Sequence, residues 1–243
     1  MDEARSARFE AAFNQIHDKL CDYAQEQNNH ASFTEVLTKA KYHHAVIEQY
    51  YHILKQCSKL RNAMVHRKIK EDFYIAEPHE QVVKEIEQLA TILTEPPLAV
   101  TIASKPVEFF ELKSSVNTLF HCLQEKGFSQ YPIYQDSKFV GLLTDGEIAN
   151  TVIRHIDLLP KDKEQTIGDL FEIAKEENVA IVGSDATVMD VEVLFQSHLQ
   201  KGIKLEAILL TKTGSAAELP VGIISSWDLI RLRTYDFPLL RHT

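Results

Sequence analysis

One stretch of this sequence occurs twice, and that duplication narrows the folds open to the chain more than any other feature. Phe139-Val140-Gly141-Leu142-Leu143-Thr144-Asp145-Gly146-Glu147-Ile148 runs parallel to Pro220-Val221-Gly222-Ile223-Ile224-Ser225-Ser226-Trp227-Asp228-Leu229. Upstream, Ser115-Val116 matches Thr187-Val188, and Gln124-Glu125-Lys126-Gly127 matches Leu199-Gln200-Lys201-Gly202. The second copy carries about six more residues in one connection, around 211–219. A unit of this length is too small to enclose a good core alone, so each copy is expected to bury its sheet against its twin.

The period of the apolar residues separates this half from what precedes it. Short apolar runs at 131–134, 139–143, 207–210 and 221–224 alternate with helical stretches. That alternation predicts a βαββα arrangement in each copy. Before it, Phe9, Phe13, Ile16 and Leu20 recur at the period of one helix face. Ser32 and Glu35 have the spacing of a capping box, which predicts a short helix from Phe33. A long helix follows, with Val46, Ile47, Tyr50, Ile53, Leu54, Cys57, Leu60 and Met64 facing a core, and Pro78 suits the first turn of a last helix carrying Val82, Val83, Ile86, Leu89 and Ile92. Pro96-Pro97 stops that helix and stiffens a short linker. The expected fold class is therefore α+β: an all-α helical bundle over 1–95, a tandem pair of βαββα modules over 98–158 and 165–233, and a C-terminal tail over 234–243.

The duplicated corner, glycine and two apolar residues followed by Thr or Ser with a carboxylate three positions on, resembles the CBS-domain family, named after a region of cystathionine β-synthase. Here the corners are Gly141–Thr144 with Glu147 and Gly222–Ser225 with Asp228. The resemblance implies two modules paired about a pseudo-twofold axis, with a regulatory adenine nucleotide (AMP, ATP, S-adenosylmethionine or a cyclic dinucleotide) in the clefts between them. A hydroxyl at a helix start is placed to donate to a phosphate, beside free backbone N–H groups. A carboxylate one turn on is placed to accept ribose hydroxyls. Ser225 and Asp228 are the expected phosphate and ribose contacts, with Thr144 and Glu147 as their counterparts. Val179 and Ile181, within the apolar run 179–182, are expected as an adenine wall, with Thr101, Tyr131, Pro132 and Ile133 as weaker candidates from the first copy. Glu147 is one methylene longer than Asp228, so one working site is expected rather than two. Against the ligand reading stands a plain one, in which Ser225 and Asp228 cap a helix.

In the helical half, Leu60-Arg61-Asn62-Ala63-Met64-Val65-His66 resembles the Arg-x4-His motif of the HEPN family, four-helix proteins that include metal-independent endoribonucleases. That resemblance implies Arg61 stabilising charge on a phosphoryl group, His66 moving a proton, and Asn62 orienting either. Arg61 and His66 lie about 140° apart on an ideal helix, so such a site needs two copies of the helix in a homodimer. Residues 49–70 contain no acidic side chain, and Lys55, Lys59, Arg61, Arg67, Lys68 and Lys70 lie among them. They would suit an RNA backbone, although cations near a helix C-terminus also answer its dipole. Arg61 and His66 used only for bundle hydrogen bonds are the bland alternative.

Composition excludes more than it assigns. A net charge of −9 argues against general nucleic-acid coating. No apolar run reaches the length of a membrane span, and the N-terminus has no signal-peptide core, so a cytoplasmic protein without membrane contact is expected. Cys21, Cys57 and Cys122 are far apart and read as free thiols. His43, His44 and His52 have no carboxylate or thiol in step with them, so no metal is expected. The leading functional expectation is a nucleotide-binding regulatory protein that passes ligand state to a helical dimerisation or effector domain, with an RNA or protein partner there. The alternative is a nucleotide-gated ribonuclease using Arg61 and His66.

Overall fold

The structure, a computed structural model, describes residues 4–24, 31–42, 44–65, 76–154, 165–171 and 178–229. The chain divides into two compact units whose boundary falls between Pro97 and Leu98. In the first, α1 (Arg5–Tyr23), α2 (Phe33–Ala40), α3 (Ala45–Val65) and α4 (Glu80–Thr94) are all helical. Phe9, Phe13, Ile16 and Leu20 are buried along α1, and Ile47, Tyr50, Leu54, Cys57 and Met64 along α3. Burial pushes the Cys57 thiol up to about 12, with Glu85 adding to the shift. The capping box expected before α2 is present: Ser32 Oγ accepts from Glu35 N–H at 3.3 Å, and Glu35 Oε2 accepts from Ser32 N–H at 2.9 Å. The start of α4 differs from expectation. His79 is its N-cap, with Nδ1 accepting from Gln81 N–H at 3.2 Å, so Pro78 stands before the helix rather than in its first turn. Arg8 donates to both oxygens of Glu87 through Nε and Nη2, at 2.8 and 2.6 Å, joining α1 to α4 and holding the Glu87 carboxyl below its ordinary value.

The second unit contains two three-stranded sheets of the same topology. The first copy runs β1 (Phe110–Glu111), α5 (Val116–Lys126), β2 (Gln130–Gln135), β3 (Lys138–Thr144) and α6 (Asp145–Arg154). The second runs α7 (Ile167–Leu170), β4 (Val179–Gly183), α8 (Val188–Gln200), β5 (Ala207–Thr211) and β6 (Gly222–Ile224). Its closing segment from Ile230 lies outside the described residues. In each sheet the first strand pairs parallel with the second, and the second antiparallel with the third. The matched sequence pairs occupy matched places. Ser115 and Thr187 are the N-caps of α5 and α8, and Gly127 and Gly202 end them at φ 61° and 71°, where a side chain would be strained. The β2–β3 turn uses Asp136 and Ser137 at φ 50° and 65°, the left-handed pair of a two-residue hairpin.

Alternation along the strands divides the core. Tyr131, Ile133 and Leu143 face a cluster with Leu119 and Ile148, whereas Tyr134, Phe139 and Leu142 pack on Val179, Ala207 and Leu209 of the other copy. This second cluster is the mutual burial that the short repeat required. The copies also exchange their leading segments. Ala99, Ile102 and Ala103 join the core of the second copy, with Ala99 N–H donating to Ala186 O at 2.8 Å. Ile167 and Phe171 join the core of the first. Ser104 then pairs with Ile223 at the edge of β6, Ser104 N–H donating to Ile223 O at 2.9 Å. The close approach explains Gly222, where a Cβ would stand 2.8 Å from that of Ala103.

Candidate functional site

The exchange of leading segments makes a cleft. Its lining takes Ser104, Pro106, Val107 and Glu108 from the segment before β1, Phe128, Ser129 and Gln130 from the entry to β2, and Ile223, Ser225 and Asp228 from β6 and the turn after it. The cleft is open to solvent, and about 480 Å³ of space, solvent included, lies between these side chains. Pro106, Val107, Phe128 and Ile223 supply apolar wall, and Asp228 is buried at 8% exposure.

Asp228 is held in place from two directions. Its Oδ2 accepts from Ser225 N–H at 2.8 Å and from Ser225 Oγ–H at 2.9 Å, and its own N–H donates to Ser225 O at 3.1 Å. Its Oδ1 accepts from Ser104 Oγ–H at 3.4 Å. The first set is a capped turn, as the plain reading foresaw. The last bond is long for a hydroxyl donor, so a ribose hydroxyl can replace it at small cost, and a carboxylate has about four acceptor sites in all. The Ser225 hydroxyl donates to the carboxylate three residues on, a charge-assisted bond.

The first-copy corner repeats this pattern. Glu147 Oε2 accepts from Thr144 N–H at 2.8 Å and from Thr144 Oγ–H at 3.0 Å, while Glu147 N–H donates to Thr144 Oγ at 3.2 Å. Thr144 and Glu147 do not line the Asp228 cleft. Neither do the expected adenine walls. Tyr131 and Ile133 are wholly inside the first core, with Pro132 between them on β2, and Val179 and Ile181 belong to the core shared by the copies. From Tyr131 to Tyr134, β2 is buried on both faces and has no side to give a ligand, whereas on β4 Val179 is buried and Ile181 half-buried. Thr101 is exposed and donates its hydroxyl to Leu98 O at 2.7 Å. Sequence reasoning missed Ser104, Val107, Glu108, Phe128 and Gln130, since nothing in a loop sequence signals that it will wrap onto the other copy.

In the helical unit, Arg61 and Asn62 lie in the C-terminal part of α3, Arg61 half-buried and Asn62 exposed. His66 and His43 lie outside the described residues, as do Tyr235, Phe237, Leu239 and Leu240 of the tail. Among the described residues no three His, Cys, Asp or Glu side chains are grouped to hold a metal ion, and no helix is long and apolar enough to cross a membrane.

Residues 99–154 match the CBS domain family. They span the first copy together with the segment that supplies Ser104 and Glu108 to the cleft. The CBS-like unit is also similar to solved structures. The CBS domain pair of protein MJ0100, in complex with 5′-methylthioadenosine and S-adenosyl-L-methionine, is 23% identical, with 56% of this chain and 94% of that one covered and a TM-score of 0.39. CBSX2 in complex with AMP is 17% identical, covering 56% and 96% with a TM-score of 0.39. A CBS domain-containing protein of unknown function from Kribbella flavida is 13% identical, covering 57% and 99% with a TM-score of 0.43. No curated protein matches the chain.

Proposed function

We propose that the second unit is a CBS pair that binds an adenosine-containing ligand in the Asp228 cleft, and that occupancy is passed to the helical unit, making this a regulatory protein. One observation carries the reading: a buried carboxylate, oriented by Ser225 and joined by an exchangeable bond to Ser104, lines an open cleft beside apolar side chains. Such a carboxylate suits the paired hydroxyls of a ribose, and the walls formed by Val107, Phe128 and Ile223 suit a purine. The match of residues 99–154 to the CBS family agrees with that use. A ligand held between Asp228 and the segment carrying Ser104 would tie the leading segment of the first copy to the turn after β6. Because that segment starts where the helical unit ends, its ordering is a direct route for the signal.

The test is thermal unfolding of the full chain with and without adenosine, AMP, ATP and S-adenosylmethionine. At a ligand excess of a hundredfold over Kd, linkage gives about 2.7 kcal/mol of stabilisation. Asp228→Asn, which keeps a capping side chain, is expected to lose the shift. An unchanged shift in that variant, or none with any of the four ligands in the wild type, contradicts the reading.

A further inference from the structure

Three of the polar side chains that line the cleft already give their hydrogen bonds within the chain. Ser225 gives both its N–H and its hydroxyl to Asp228, so the anion position at this corner is filled by the chain's own carboxylate. Ser104 gives its hydroxyl to the same group, and Gln130 gives Nε2 to Glu206 O at 2.9 Å. The charges point the same way. Asp228 and Glu108 line the cleft, and among the described residues no Lys, Arg or His does. Lys126 stands outside the lining and is ion-paired to Glu108.

A phosphate arm entering here would meet two carboxylates and no cationic side chain among the described lining residues. Like charges brought together in a partly desolvated site cost more than they do in water. A neutral or cationic arm meets no such penalty.

Resting on the reading above, we propose that this cleft selects adenosyl ligands whose 5′ arm carries no phosphate, and that Glu108 enforces the selection. Glu108 does so by repulsion and by keeping Lys126 occupied.

Calorimetric titration of the full chain with adenosine, S-adenosyl-L-methionine, AMP and ATP tests this. The tighter of the two phosphate-free ligands is expected to bind at least about tenfold more tightly than AMP or ATP, the scale of one unfavourable charge contact at an interface. In Glu108→Gln, a half-buried position whose change keeps the side chain's size, the gap is expected to narrow as Lys126 is released. AMP or ATP binding within tenfold of the phosphate-free ligands in the wild type overturns the inference while leaving the site intact. An unchanged gap in Glu108→Gln overturns the role of Glu108. Silence with all four ligands removes the site reading itself.

Discussion

The two strand-to-helix corners of the second unit are chemically alike and differently placed. In each, a hydroxyl residue at the end of a strand gives its N–H and its O–H to a carboxylate three positions on, at 2.8 and 3.0 Å for Thr144 and 2.8 and 2.9 Å for Ser225. The carboxylates then diverge. Asp228 is buried, touches Ser104 from a distant part of the chain and lines a cleft, whereas Glu147 is half-buried and lies outside it. A local motif therefore builds the turn, and the segment wrapped over it makes one turn a candidate site.

The contrast can be broken by experiment, and the largest effect concerns ligand. Asp228→Ala is expected to abolish stabilisation by an adenosyl ligand, about 2.7 kcal/mol at a hundredfold excess over Kd, while Glu147→Ala retains it. Paired thermal unfolding curves read this directly. Next is the close packing at the second corner. Gly222→Val places a branched side chain against Ala103 Cβ at 2.8 Å and Leu210 Cδ1 at 3.2 Å, so denaturant unfolding should show a loss of about 1–3 kcal/mol. By contrast, Gly146→Ala at the first corner meets nothing closer than Thr144 Oγ1 at 3.9 Å, and inside α6 it should be neutral or stabilising by up to about 1 kcal/mol. The caps themselves should be equal. Ser225→Ala and Thr144→Ala are each expected to cost about 1 kcal/mol by the same measurement.

A last difference is silent at neutral pH. Burial raises the Tyr131 and Tyr134 hydroxyls to about 12 from an ordinary value near 10, and their strand β2 has no tyrosine counterpart on β5. The unfolded chain loses these protons first, so their contribution is complete below pH 10 and is lost as pH rises from 10 towards 12. Tyr134→Phe should flatten that alkaline decline in a series of unfolding curves.

Much of the scaffold was legible because it is local or periodic. Ser32 with Glu35 marked the start of α2, and the spacing of Phe9, Phe13, Ile16 and Leu20 marked the buried face of α1. The parallels Ser115/Thr187 and Gly127/Gly202 marked matching helix ends. Asp228 was legible for the same reason, being one of a repeated pair. The cleft walls were not. Tyr131 and Ile133 are apolar strand residues on a stretch of β2 buried on both faces, while Val179 and the half-buried Ile181 pack on the core shared by the copies and do not line this cleft. The residues that do line the cleft, such as Val107 and Phe128, sit in connections whose course depends on contacts far along the chain. Arg61 and Asn62 lie on α3, and His66, the third member of their motif, lies outside the described residues.

Binding stoichiometry tests the asymmetry of the two corners most directly. Titration calorimetry of the full chain with the tightest-binding adenosyl ligand should give one site per chain, retained in Glu147→Ala and absent in Asp228→Ala. Two sites per chain, or one that survives Asp228→Ala and disappears in Glu147→Ala, would contradict it.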